Sequence, residues 1–220
     1  MIIHNCVQGG ELWLNLRAGR FTATDAPELI PDKRTGKAKK GLETLTFKKA
    51  AYWITGNLPD TFTTPAMEWG HIQEPHARAL YAEITGNPVQ EVGFVEQDDY
   101  AGCSPDGLVG KEGLIEIKCK QDYNHLYAVC NEWIDPEHEL QMQYQMLITG
   151  RNWCDYVLYN PLFKNPIYVQ RVFKNADVQA QLAEGLANGR ELINKHIKDY
   201  ERRYLCLKTT DQYINTKLEA

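Results

Sequence analysis

The chain has 220 residues, 43% hydrophobic and 24% charged, which suits one globular domain over residues 1–220 with a single core. No run approaches the roughly 18 apolar residues of a membrane helix, and Met1-Ile2-Ile3-His4-Asn5-Cys6 lacks the basic flank and apolar stretch of a signal peptide; a cytoplasmic protein with no membrane contact is expected. Lysines and arginines number 24 against 29 acids, a net charge of −5, so any contact with nucleic acid would need a local basic surface.

In chain order, the first part reads as helical. Leu12, Trp13 and Leu16 form a short apolar face, and Leu42, Leu45, Lys49, Tyr52 and Trp53 fall near helical spacing before Gly56. Between them lies the richest basic stretch, Lys33-Arg34-Thr35-Gly36-Lys37-Ala38-Lys39-Lys40, which reads either as a solvated loop or as a DNA-facing surface. Trp69, Ile72, His76, Leu80 and Ile84 mark a further helix that Gly86-Asn87-Pro88 should end. Within it Pro75, which has no N–H to donate, should kink the helix or begin it.

The period then changes. Val92, Phe94 and Val95 start a strand, Tyr100 to Leu108 reads as a second with a turn at Pro105-Asp106-Gly107, and Leu114 to Lys118 makes a third. His138 to Thr149 returns to a helix, Tyr156–Tyr159 and Ile167–Val169 suggest a hairpin, and Val178, Leu182, Leu186, Ile193, Ile197, Tyr200 and Tyr204 mark a long amphipathic helix. Helices on both sides of a strand-rich middle indicate an α/β fold, a central mixed β-sheet flanked by helices.

Six cysteines (Cys6, Cys103, Cys119, Cys130, Cys154 and Cys206) are scattered without a C-x-x-C pair, so they read as reduced thiols rather than zinc or iron–sulfur ligands. His71, His76, His125 and His138 have no spacing for a zinc site and read as packing or surface residues.

The segment with chemistry in it is Ser104-Pro105-Asp106-Gly107, followed nine residues after Gly107 by Glu116-Ile117-Lys118. Strand side chains alternate between faces, so Glu116 and Lys118 project together while Ile115 and Ile117 point the other way. Asp106, at the preceding turn, can fold back to the same point. Two carboxylates suit Mg²⁺, a hard ion that keeps several waters, and a neighbouring ammonium can position a nucleophile for phosphodiester hydrolysis. E-x-K alone is equally an ordinary strand with a surface cross-pair. Glu74 lies off its helix's apolar stripe and reads locally as an exposed acid. Gln141, Gln143 and Gln145 alternate along a helix, where they should not share a face.

Together these segments resemble the lambda exonuclease family, also called YqaJ-type viral recombinases or phage alkaline exonucleases. Trp13-Leu14-Asn15-Leu16-Arg17-Ala18-Gly19-Arg20-Phe21-Thr22-Ala23-Thr24 is similar to the family's W-x-x-x-R-x-G-x-x-T-A-S motif. Trp69-Gly70 through Glu74 to Ala77-Arg78 is similar to its W-G-x-x-x-E-x-x-A-R helix. The blocks around Ser104-Pro105-Asp106-Gly107, Glu116-Ile117-Lys118 and Gln141-Met142-Gln143-Tyr144 follow in the family's order.

The resemblance implies a restriction-endonuclease-like PD-(D/E)xK core and a nuclease using Mg²⁺, two ions with Mn²⁺ able to substitute. It implies Glu74, Asp106 and Glu116 as metal-site acids, Lys118 as the catalytic lysine, and Gln143 as the glutamine that places the water or scissile phosphate. Arg17, Thr24 and Ser104 fall where the family binds a 5′-phosphate, with Thr24 replacing the commoner serine. The family further implies 5′-to-3′ digestion of one strand from double-stranded DNA ends, release of 5′-mononucleotides, a ring-shaped homotrimer, and a single-strand annealing protein as recombination partner in a bacterial host. A ring with a basic lining, for which Lys37, Lys39 and Lys40 are candidates, would reconcile DNA binding with the acidic net charge. The competing readings are a restriction-type or Cas4-like nuclease on the same core, and a non-catalytic protein that binds DNA ends.

Overall fold

The computed structural model describes residues 1–58 and 63–218, with side chains through residue 203; the side chains of Tyr204 and Cys206 lie outside the described residues. Its helices begin and end where the sequence provides caps. After α1 (Glu11–Arg17) and the short α2 (Ala26–Leu29), α3 spans Lys40–Thr55 and stops at Gly56, whose φ of 69° is the left-handed conformation glycine adopts without steric cost. Helix α4 runs from Pro65 to Thr85: the Thr64 hydroxyl accepts the Met67 N–H at 3.2 Å, and Pro65 fills the first turn, where no N–H is needed. Pro75 lies in the interior of α4, so it does not begin the helix, and the carbonyl one turn before it receives no helical hydrogen bond.

The strands β1 (Ile2–His4), β2 (Val89–Gln90), β3 (Phe94–Glu96), β4 (Gly102–Cys103), β5 (Gly107–Val109), β6 (Gly113–Cys119), β7 (Trp153–Tyr159) and β8 (Ile167–Phe173) form two sheets. The larger has the order β2-β5-β6-β7-β8 and the smaller β1-β3-β4. In the larger sheet β6 and β7 are parallel, with Glu116 opposite Tyr156, and the other pairs are antiparallel. The parallel pair requires a crossover, made by α5 (Asp122–Cys130) and α6 (Pro136–Thr149). The long helix α7, Ala176–Leu218, packs along α3 and α6.

Strand alternation divides the interior in two. Leu114, Cys154, Tyr156 and Leu158 join a large cluster with α2, α3, α6, α7 and the small sheet, while Ile115, Ile117, Val157 and Tyr159 join a smaller one with Ala77 and Tyr81 of α4. Glu116 and Lys118 therefore belong to the face that α6 covers. Buried Asp155 fastens α4 to the opposite face. It accepts Tyr81 Oη at 2.6 Å and both Arg171 Nε and Nη2, at 2.7 and 2.9 Å, a bidentate charge-assisted pair.

The structure corrects three readings of the sequence. The stretch from Tyr100 to Leu108 is not one strand: β4 and β5 belong to different sheets, separated at Ser104-Pro105-Asp106, where Pro105 has no N–H to offer a ladder. The stripe expected to face the core in α4 is largely turned outward, with Trp69, Ile72 and Ile84 exposed; the buried line is Gln73, Ala77 and Tyr81, because a small residue lets the helix approach the sheet closely. Helix α5 was not anticipated, since its Tyr123, Leu126 and Tyr127 point to solvent and leave no inward apolar period.

Candidate active site

The separation of β4 from β5 leaves Asp106 at the start of β5, where it reaches across to the neighbouring strand. Its Oδ2 accepts the Ile117 N–H at 2.6 Å, and its own carbonyl accepts Arg78 Nε at 2.8 Å. Gly107 makes this turn possible for a packing reason: a β-carbon there would lie 2.2 Å from Val89 Cγ1. On β6, Glu116 is 5% exposed. Its Oε1 accepts Lys118 Nζ at 2.6 Å and its Oε2 accepts Gln145 Nε2 at 2.7 Å.

Electrostatics tie Glu74 to the same place. Burial, then the charges of Glu116 and Glu74, push the Asp106 carboxyl well above its usual range, against the opposing pull of Lys118 and the Ile117 N–H. Burial is also the largest single influence on Lys118 and lowers its pKa, but Glu116, Asp106 and Glu74 together outweigh it and the ammonium is raised. Cys119, next along β6, is pushed up to about 12 by burial and then by Glu74 and Asp106. Three carboxylates facing one ammonium leave an excess of negative charge, the condition a divalent cation relieves. Among the described residues no three His, Cys, Asp or Glu side chains stand at ligand spacing. Both Glu116 oxygens are held by donors, and Mg²⁺ needs only one or two carboxylates beside its waters. The donor set fits a hard cation.

The glutamine assignment changes. Gln143 turns away from the carboxylates: its Nε2 donates to the Phe173 carbonyl at 2.9 Å, and its Oε1 accepts the Asn175 N–H at 3.0 Å and Gln179 Nε2 at 3.1 Å. It caps the junction of β8 and α7. Gln145 holds Glu116 instead, and Gln141, four residues earlier, lies on the same side of α6; that spacing puts two of the three glutamines on one face. On the preceding turn of this face, His138 Nδ1 and Tyr156 Oη are 2.9 Å apart. Burial, then Lys118 and Lys120, lower the His138 pKa to about 4.

The residues expected to bind a 5′-phosphate divide. Arg17 and Thr24 line one cavity of about 420 Å³, together with Trp13, Arg20, Thr22 and Lys49. The Arg17 guanidinium lies 4.3 Å from the Trp13 ring centroid and donates to Thr22 Oγ1 at 3.4 Å, and Thr22 and Thr24 hydroxyls are 3.1 Å apart. Burial lowers the Arg17 pKa, opposed by Asp25, yet a guanidinium stays charged near neutrality. Ser104 is not among the lining residues; it accepts Trp13 Nε1 at 2.8 Å and so anchors the cavity wall. The lysines lie elsewhere. Lys39 Nζ is bound to the Pro27 carbonyl at 2.6 Å, Lys37 and Lys40 are exposed, and none of the three lines this cavity.

Comparisons with known proteins give the chain a family and fold relatives. The family described as YqaJ-like viral recombinase domain matches residues 12–152. An alkaline exonuclease from Laribacter hongkongensis, LHK-Exo, has a similar structure with a TM-score of 0.79 at 30% identity, covering 90% of this chain and 100% of that one; its complex with dAMP matches equally. A phage-related exonuclease from Haemophilus somnus 129PT, 13% identical with a TM-score of 0.62 over 85% of this chain and 99% of that one, shares the fold. A search of curated protein sequences finds no match.

Proposed function

Because this chain belongs to the YqaJ-like viral recombinase domain family, we propose that it is a Mg²⁺-dependent exonuclease. In this reading it resects one strand of double-stranded DNA in the 5′-to-3′ direction, releases 5′-mononucleotides and leaves 3′ single strands for an annealing protein. The observation that carries the reading is the convergence of Asp106, Glu116 and Lys118, with Glu74 close enough to perturb both Asp106 and Lys118.

Asp106 and Glu116, with Glu74 beside them, would hold the cation, two ions in a full site and Mn²⁺ able to substitute. The ion supplies an acidified water and stabilises charge on the phosphate. Lys118 orients the attacking oxygen and offsets its charge. Gln145 keeps Glu116 aimed at the cluster. Arg17 and Thr24 hold a terminal 5′-phosphate through charge-assisted hydrogen bonds, with Ser104 acting through Trp13. The family relationship also supports a ring-shaped homotrimer, in which enclosure rather than net charge retains the DNA, and a cytoplasmic setting in a bacterial host. The dAMP complex of the Laribacter relative supports a nucleotide-sized product.

The test is digestion of a linear duplex phosphorylated at one 5′ end beside a covalently closed circle, with Mg²⁺, with Mn²⁺ and with EDTA. Loss of the phosphorylated strand as mononucleotides, metal dependence and survival of the circle are expected. Linearisation of the circle would favour a restriction-type enzyme. Binding of ends without hydrolysis under any metal would favour a non-catalytic protein.

A further inference from the structure

Cys119 has two neighbourhoods. Its thiol feels the charges of Glu74, Asp106 and Lys118, and it also lines a second cleft of about 990 Å³. That volume is at the upper end of ligand clefts, and the cleft opens directly from the catalytic lysine's strand. Trp69 of α4 and Tyr123 of α5 are among its walls, with Lys120 between them in sequence. Beyond it the aromatic surface continues. The Tyr123 and Tyr127 rings are 6.3 Å apart at 26°, Tyr127 meets Trp133 at 6.0 Å, and Lys120 Nζ lies 5.4 Å from the Trp133 centroid. These rings are not core: Tyr123 is 76% exposed, Tyr127 47% and Trp133 38%.

Exposed rings in a row beside a lysine match what unpaired nucleotides require, a π-face for each base and a cation for the backbone. Lys120 lines the cleft and also sits over the Trp133 ring, so it brings a cation to both. We propose that this cleft and the α5 rings form a stacking site for unpaired DNA bases, a single-stranded segment next to the bond being cut. The proposal rests on the nuclease reading of the adjoining carboxylates. Trp69 and Tyr123 take bases, while Lys120 meets a phosphate at the mouth of the cleft.

The test is binding of a fluorescent oligothymidylate with a 5′-hydroxyl end, which leaves the Arg17 cavity without its ligand, measured by anisotropy in EDTA at fixed salt. Tyr123→Ala should weaken binding ~10-fold, the order expected for one lost base stack, and Tyr123→Phe should not. Lys120→Ala should flatten the salt dependence. Equal affinities for wild type, Tyr123→Ala and Trp69→Ala would overturn the proposal. So would a loss of binding that follows a change in assembly mass by light scattering, because the rings would then form a contact between copies of the chain. Hydrolysis by the wild type is measured separately. An inactive wild type with a Tyr123-dependent affinity defeats the nuclease reading and keeps this one, whereas an active enzyme with unchanged affinities does the reverse.

Discussion

Replacing each of the two neighbouring glutamines of α6 by leucine should separate stability from catalysis. Gln143 is 1% exposed and satisfies the Phe173 carbonyl and the Asn175 N–H. Gln143→Leu removes the side-chain partner of two part-buried backbone groups, each bond worth about 0.5–1.5 kcal/mol, so about 1–3 kcal/mol in all. For a chain of this size that corresponds to a fall in Tm of roughly 2–12 °C, with the surviving folded enzyme close to wild-type kcat. Gln145→Leu leaves the backbone untouched and removes one hydrogen bond to a buried carboxylate. A bond to a charged group is worth about 1.5–3 kcal/mol, which would appear as a loss of roughly 10- to 150-fold in kcat/KM if Glu116 is aimed for the transition state. Thermal melts by circular dichroism and initial rates on 5′-phosphorylated linear duplex read the two effects. An inactive but fully stable Gln143→Leu beside an active Gln145→Leu would refute the assignment and return catalysis to Gln143.

Lys118→Ala should abolish hydrolysis while duplex binding persists, checked by rates and by anisotropy in EDTA; near wild-type turnover would remove the lysine from the mechanism. Arg17→Ala should erase the preference for phosphorylated over hydroxyl 5′ ends, a loss of about 1.5–3 kcal/mol on the phosphorylated substrate alone, read as the ratio of initial rates at fixed salt. His138 should make the protein less stable as the pH falls. Its folded pKa, about 4, is depressed below the ordinary histidine value of 6.5, so the unfolded chain binds more protons between these values and stability drops as pH descends through that window. Chemical denaturation in EDTA at pH 7 and pH 5 should show a smaller difference for His138→Gln than for wild type.

What the sequence reveals best is what depends on local period. Alternation alone puts Glu116 and Lys118 on one face of β6, and glycines at 56 and 86 end α3 and α4 where expected, because a left-handed residue is a local requirement. The β7–β8 hairpin is equally legible, although its strands are longer than the apolar runs suggest. Relations set by packing are hidden. Which of Gln141, Gln143 and Gln145 meets Glu116 depends on the rotation of α6 over the sheet, and the residue type is the same at all three positions. The outward face of α4 carries larger apolar residues than its buried line, so hydrophobicity points to the wrong side. The basic stretch at Lys33–Lys40 illustrates a third limit. Charge in a loop carries no direction, and the structure uses Lys39 to tie the loop to α2.

The short link between β4 and β5 joins two duties. Ser104 supports the wall of the Arg17 cavity through Trp13, and two residues later Asp106 enters the carboxylate cluster. Pro105 between them is buried and its backbone torsion is restricted. In a nuclease that grips a strand by its end, the span from the gripped phosphate to the cleaved bond decides how large a fragment leaves. If Arg17 grips the terminal phosphate and Asp106 holds the metal, this link of two peptide units would set part of that span. Lengthening it by one residue should alter fragment size before it alters affinity.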